Sequence, residues 1–198
     1  MENEPAESIV TLKLSKQAKT IPYPSQERDS FKSSNHGFKV LKGKPQDISL
    51  IPEAKDNQHI IKALEIINDE RIAFFSVGCE KAFNYKPEYG HWARGYIEFS
   101  YNAVELVKDA RNYFGLFYQF NDAIWEHQFN LPVRFDWEFD RAIFTDADNQ
   151  TGFSCAVWIT TNDLQSAEDA KYVWQVSLDF LAGFLGQFGQ QNDSTKIY

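Results

Sequence analysis

The stretch VRFDWEFDRAIF, residues 133–144, has a large apolar side chain at every second position over most of its length. Successive side chains of a β-strand point to opposite faces of the sheet, so this alternation predicts a strand with one buried and one uncovered face. The buried set is Val133, Phe135, Trp137 and Phe139. The outward set is Arg134, Asp136, Glu138 and Asp140.

Neighbouring stretches extend this sheet. After the turn DADNQTG, the segment FSCAVWITT, residues 153–161, turns Trp158 and Thr160 outward. The outward residues of HWARGYIEFSY, residues 91–101, include Trp92, Arg94, Tyr96 and Glu98. Before it, the apolar run RIAFFSVG, residues 71–78, predicts a strand buried on both faces, and residues 79–90 are expected to be a loop.

Apolar residues recur at helical spacing in three segments, at about residues 57–67, 102–128 and 166–189. Asp56 or Asn57 can cap the first helix, and Ser166 with Asp169 forms a variant of the capping box for the last. The order helix, strand, strand, helix, strand, strand, helix predicts an α+β two-layer sandwich. In it, a mostly antiparallel sheet of four or more strands carries helices on one face.

The second and third helices have wide apolar faces. Apolar side chains cover an arc of about 200° on each, whereas one buried face needs roughly 100°. Two helices packed side by side on the sheet explain most of the excess, and a hydrophobic partner or homodimer across the helix layer would explain the rest. Asn121 and Ser177 lie inside these arcs, where they can fix the helix register or line a ligand pocket.

The charge distribution separates an N-terminal arm from the body of the chain. Residues 1–50 carry seven Lys and one Arg against six acidic residues, whereas the whole chain has a formal net charge of −8. We expect 1–50 to be an extended arm, 51–189 a single α+β domain and 190–198 a polar tail. Within the arm, residues 8–15 and 37–43 alternate well enough to form short strands that pair with the sheet edge or with another chain.

Composition disfavours several classes of partner and site. The acidic charge repels phosphate backbones and anionic membranes, so neither nucleic acid nor membrane is an expected partner. Cys79 and Cys155 lie in no disulfide framework or zinc spacing, and the four histidines show no zinc motif. No glycine-rich phosphate loop occurs, so no cofactor is expected. Without a signal-like or membrane-spanning run, the chain is expected to be cytoplasmic.

The outward sheet face is the most distinctive surface in the sequence. It combines Trp, Tyr and Arg, which dominate protein interfaces, with a row of carboxylates. The candidate partner-binding residues are Trp92, Arg94, Tyr96, Asp136, Glu138, Asp140 and Trp158. The simpler interpretation is a solvated face with cross-strand charge pairs, such as Arg94 with Asp136 or Asp140.

These features favour a non-catalytic protein-interaction module, an adaptor, escort chaperone or immunity-type inhibitor. It would bind a protein partner through this face, the helix layer or the arm. Two alternatives stay open. One is a small hydrolase that uses Asp136, Glu138 and Asp140 with His91 or His127. The other is a nucleic-acid mimic whose acidic row occupies a partner's basic groove.

Overall fold

The computed structural model describes residues 8–25, 36–86, 90–127, 129, 131–188 and 196–198. It has the predicted α+β two-layer architecture, with helices on one face of a mostly antiparallel sheet. The strands are β1 (Ile9–Ile21), β2 (Phe74–Lys86), β3 (Gly90–Tyr101), β4 (Val133–Phe144) and β5 (Gln150–Leu164). The helices are α1 (Gln58–Ile67), α2 (Val104–Val107), α3 (Ala110–Glu126) and α4 (Ala167–Phe188), with short 3-10 turns at Pro45–Leu50 and Pro52–Ala54.

The five strands form one sheet in the order β1-β4-β5-β3-β2. β2 and β3, β3 and β5, and β4 and β5 pair antiparallel, whereas β1 lies parallel to β4. The predicted strand at residues 8–15 is therefore confirmed at the sheet edge, and it continues to Ile21 beyond an irregularity between Leu14 and Ala18.

The main apolar core lies between the sheet and the helices α1, α3 and α4. The inward residues of β4 are buried as the alternation predicts, and Phe135 and Trp137 have no exposed surface. Rings of α3 pack directly on them, with 5.9 Å between the ring centroids of Phe117 and Trp137. No helix among the described residues is long and apolar enough to cross a membrane.

The helix caps follow the sequence signals. The Asn57 side chain accepts hydrogen bonds from the backbone N–H groups of His59 and Ile60 at the start of α1. The Ser166 hydroxyl accepts from the Asp169 N–H over 3.0 Å, as in a capping box, but it also donates to the Asp169 carboxylate over 2.7 Å, so the motif is the predicted variant. The buried Ser177 hydroxyl donates to the Val173 carbonyl over 2.7 Å, so α4 itself satisfies that group.

Two predictions of local structure were wrong near the second strand. Residues 79–86 are not a loop, because β2 continues to Lys86 in antiparallel register with β3. Residues 37–43 form no strand, because Gly37 and Gly43 have positive φ angles of 77° and 68°, which break extended structure. Instead, the Lys42 ammonium donates to the carbonyls of Asp69 and Phe74, each over 2.7 Å.

The long helix expected at residues 102–128 is divided. α2 ends at Val107, and α3 begins after Asp109, whose carboxylate accepts from the Arg111 N–H over 2.9 Å. Gln128, Gly189 and residues 190–195 of the predicted tail lie outside the described residues.

A second apolar cluster lies on the sheet face opposite α1, α3 and α4, which we call the outer face, and Val107 of the short helix α2 packs into it. Phe75 of β2 and Phe144 of β4 are buried there beneath the segments that follow β1 and end the chain. The ring of Tyr198 lies 4.9 Å from Phe75 and 5.4 Å from Phe38, measured between centroids. One end of the outer face is therefore covered by the chain itself.

Candidate functional site

The uncovered part of the outer face carries the residues predicted from the alternation. Cross-strand register sets Asp136 of β4 opposite Trp158 of β5, and Trp158 opposite Tyr96 of β3. One row further along, Thr160 lies between Arg134 and Arg94. Because opposed residues share a face, the register brings the aromatic and charged candidates of three strands onto one continuous surface.

Arg94, Tyr96 and Trp158 form a compact group that we call the ring–arginine cluster. The Arg94 guanidinium carbon lies 4.2 Å from the centroid of the Trp158 ring, a cation–π contact. The Tyr96 and Trp158 centroids lie 4.5 Å apart. Arg94 is exposed, whereas both rings are half-buried. The cluster therefore presents a planar cation fixed by rings at the surface.

The acidic row is paired with β1 and with its own strand. Thr11 donates to the Asp136 carboxylate, and the Arg134 side chain donates to the same carboxylate over 2.7 Å. Lys13 lies 2.7 Å from Glu138. The anticipated charge pairs of Arg94 with Asp136 or Asp140 are not among the ion pairs that the structure describes, since Asp136 pairs with Arg134 and Asp140 with Lys19.

Lys19 joins carboxylates from two non-adjacent strands. Its ammonium lies 2.7 Å from Glu98 of β3 and 2.5 Å from Asp140 of β4. Burial of Lys19 disfavours its charged form, but the two carboxylates outweigh that effect and raise the pKa of Lys19 above its ordinary value. Glu98 is only 6% exposed, and Lys19 is the cation that pairs with it.

A cleft of about 970 Å³ adjoins this group on the outer face. Tyr23, which follows β1, closes part of it by donating from its hydroxyl to the Val77 carbonyl over 2.8 Å. A Cβ at Gly78 would lie 3.1 Å from the Tyr23 hydroxyl, so this close approach favours glycine. Burial, together with the charge of Glu98, raises the pKa of both Tyr23 and Tyr96 well above the ordinary value.

The structure therefore divides the candidate residues into two groups. Arg94, Tyr96 and Trp158 form the ring–arginine cluster, beside which Asp136 lies in register. Trp92 is half-buried near the start of β3, opposite Asn84 of β2. Glu138 and Asp140 belong to the salt-bridged part of the face. Sequence reasoning missed Lys13 and Lys19. The alternation of residues 8–15 set Lys13 on the side opposite Leu12 and Leu14, but Lys19 lies beyond that segment.

Of the histidines and cysteines, His36 and Cys79 line the cleft, whereas His127 lies elsewhere. His127 lies in the helix layer, 4.5 Å from the ring centroids of both Phe129 and Phe180. Burial, with the nearby charge of Glu53, raises the pKa of Cys79 to about 12, which disfavours its nucleophilic thiolate. Within the described ranges, no three His, Cys, Asp or Glu residues are grouped so that they could hold a metal ion.

The arrangement offers stacking, charge and hydrogen bonding at a surface, which is the chemistry of recognition. Comparison with known proteins adds no further identification: the chain matches no protein-family model, no curated protein and no solved structure.

Proposed function

We propose that this chain is a non-catalytic protein-interaction module, acting as an adaptor, escort chaperone or inhibitor, that binds a protein partner through the ring–arginine cluster. The observation that carries the proposal is the Arg94 guanidinium held 4.2 Å above Trp158 on the uncovered part of a sheet face. Trp, Tyr and Arg are the residues most enriched at energetic hot spots of protein interfaces. Stacking reduces the conformational entropy that Arg94 would lose on binding.

The cluster suits a partner that supplies a carboxylate beside an apolar side chain. Among the described residues Arg94 forms no ion pair. Its guanidinium can therefore donate two parallel hydrogen bonds to a carboxylate of the partner, the bidentate geometry that arginine favours. Trp158 and Tyr96 provide the adjoining apolar surface. Asp136 and Glu138 lie further along and are already paired, so they frame the site and contribute less to affinity.

The pairing of the acidic row weighs against both alternative functions. A nucleic-acid mimic must present unneutralised charge, yet Lys13 and Lys19 from the arm compensate Glu138 and Asp140. A hydrolase needs a carboxylate that can exchange a proton beside a base, and His127 lies on the other side of the sheet. His91 lies opposite Leu164, six or more residues along β5 from the positions that face Asp136, Glu138 and Asp140. We therefore retain protein binding as the proposed function.

The test begins with the partner itself. A photo-crosslinking amino acid at position 160, whose side chain lies between Arg94 and Arg134 in register, is introduced in the native host. The captured protein is then purified, and its affinity is measured for wild type, Arg94→Ala, Trp158→Ala and Tyr172→Ala. Tyr172 is the matched control, because its ring is 64% exposed on α4 at the opposite side of the sheet.

We expect Trp158→Ala and Arg94→Ala each to weaken binding by about 10- to 100-fold, as for interface hot spots, and Tyr172→Ala to leave affinity unchanged. The circular-dichroism spectrum and melting temperature of each variant show whether it is folded. Equal affinity of all four proteins, or failure of position 160 to capture any protein, would overturn the proposal.

A further inference from the structure

Among the described strands, β1 lies at the edge of the sheet, and the helix side of this strand is apolar. Within the described part of the chain, the only strand that pairs with β1 is β4, which leaves a row of backbone N–H and C=O groups on the other side. Leu12 and Leu14 are 40% and 60% exposed. They share the helix side of the sheet with Trp137 and Phe139, which lie opposite them in register. An exposed edge of this kind favours pairing with another strand.

The rings of α3 extend this apolar surface. Phe120 contacts Phe184 of α4, with 5.1 Å between centroids, and Phe117 contacts Trp137 beneath the helix. Tyr118 and Trp125 lie roughly 80–100° round the helix axis from Phe117, on the side away from α4. Because α4 packs mainly on β5 and β3, that side of α3 is the one directed toward β1. They are 67% and 75% exposed. The excess width of the apolar face of α3 thus lies on the same side of the molecule as the free strand.

We propose that a second copy of this chain pairs antiparallel with the free edge of β1 about a twofold axis at Leu12. The row Val10, Leu12 and Leu14 is centred on Leu12, so this register alone opposes every apolar residue of the row with another. Leu12 meets Leu12, and Val10 meets Leu14. Shifting the register by two residues in either direction would place Lys16 or Ser8 opposite a member of the row.

The charges on the other side of the strand fit the same register. Pairing about Leu12 sets Lys13 opposite Thr11 of the second copy, beside its Asp136 carboxylate, whereas pairing about Lys13 would oppose two lysines. The irregularity after Leu14 ends the regular part of β1 and limits the paired segment to residues near 9–15. The sheet would then continue through ten strands.

The α3 helices of the two copies can also contact each other across the proposed dimer axis. The two β4 strands of the dimer are separated by three strand spacings, or about 14 Å. Two adjacent helices with ordinary side chains have axes roughly 10–12 Å apart, and the rings of Tyr118 and Trp125 can close the remaining gap above the Leu12 pair. Strand pairing alone buries less area than a stable dimer needs, so these rings supply apolar area that the strand lacks.

Disulfide trapping tests the register directly. In the proposed dimer the Cβ atoms of the two Leu12 residues lie about 4.5–5.5 Å apart, close enough for Leu12→Cys to cross-link under mild oxidation. Leu14→Cys is the matched control, because residue 14 lies opposite residue 10 and its two copies are about 13 Å apart. Wild type controls for Cys79 and Cys155. Analytical ultracentrifugation of wild type, Leu12→Asp and Leu50→Asp measures the dimer constant.

We expect wild type to dimerise, Leu12→Cys to cross-link and Leu14→Cys to remain uncross-linked. Leu12→Asp should raise the dimer dissociation constant by at least ~100-fold, because it places two carboxylates at the axis. Leu50→Asp, at a site 60% exposed at the end of the 3-10 turn Pro45–Leu50 and outside β1, should not change it. The proposal would be overturned if wild type were still monomeric at a concentration 100-fold above a dissociation constant of ~1 µM. Equal cross-linking of the two cysteine variants would also overturn it. Arg94→Ala and Trp158→Ala should dimerise normally, so this test is independent of the proposed partner site.

Discussion

The Lys19 side chain of β1 forms ion pairs with Glu98 and Asp140 on the outer face. Replacing it by Met should destabilise the protein by about 2–3 kcal/mol, because Glu98 would keep a buried charge without its partner. Lys13→Met is the control, since Lys13 is 69% exposed and such surface pairs contribute little to stability. Urea unfolding of both variants at neutral pH measures the difference. Equal stability of the two variants would show that Lys19 is no more important than a surface lysine.

The stability that Lys19 contributes through its ion pairs should change with pH in one direction. The raised pKa of Lys19 means that the folded state binds this proton more tightly than the unfolded chain. Its contribution is therefore fully present below the ordinary pKa of 10.5 and is lost as the pH rises through the raised value. The stability gap between wild type and Lys19→Met should stay constant from pH 7 to about 9 and narrow only in stronger alkali. Narrowing near neutrality would contradict this assignment.

Cys79 provides a second test at the residue scale. Because burial and the charge of Glu53 raise its pKa to about 12, very little thiolate exists at pH 8. Cys155 is fully buried, and burial raises its pKa as well. We expect both cysteines to react with a chromogenic disulfide reagent at least ~100-fold more slowly in the native protein than in urea. A fast native phase for one thiol would return Cys79 to consideration as a nucleophile.

At the scale of elements, alternation and helical spacing were enough to predict the strands of both hairpins and the order of the helices. They failed where the chain has no apolar pattern of its own. Residues 79–86 belong to a strand because β3 offers backbone partners, and polar side chains such as Glu80 are tolerated at an exposed edge. Asp109, a sequence signal for a helix start, was overlooked within the run of residues expected to be one helix.

The contact between α4 and the β2–β3 hairpin depends on a glycine. A Cβ at Gly95 would lie 2.3 Å from the Glu80 carbonyl oxygen and 2.6 Å from the Trp174 ring. Gly95→Ala should therefore destabilise the protein by about 3 kcal/mol or more, since neither backbone nor buried indole can move freely. Gly115 in α3 has nothing within 4 Å of its added Cβ, so Gly115→Ala should stabilise by roughly 0.5–1 kcal/mol. Thermal unfolding of Gly95→Ala and Gly115→Ala measures the two changes in stability. Equal changes would contradict this packing.

At the scale of the whole molecule, the outer face could be predicted only in part. The alternation within each strand correctly placed Arg94, Tyr96 and Trp158 on one face. It could not show which strands are neighbours, so the stacking of Arg94 on Trp158 and the pairing of β1 lysines with the acidic row were not predictable. Both depend on strand order between distant parts of the sequence, and the Lys13–Glu138 pair spans 125 residues. Coverage of one end by Tyr23 and Tyr198 is equally long-range.

That coverage makes the chain end a structural element. Ile197 is 7% exposed, and the Asn102 side chain accepts from the Tyr198 N–H over 2.7 Å and donates to its carbonyl over 2.8 Å. The double variant Ile197→Ala, Tyr198→Ala should lose about 3 kcal/mol through uncovered apolar surface on Phe75. Lys196→Ala is the matched control, because its side chain is exposed.

Urea unfolding measures the stability of these variants. Binding of a dye that recognises exposed apolar surface measures how far the second apolar cluster is uncovered. We expect the double variant to unfold at lower urea and to bind more dye, whereas Lys196→Ala behaves as wild type. If the double variant kept wild-type stability and dye binding, the second apolar cluster would not depend on the chain end. The uncovered part of the outer face would then extend beyond the ring–arginine cluster to Phe75 and Phe144.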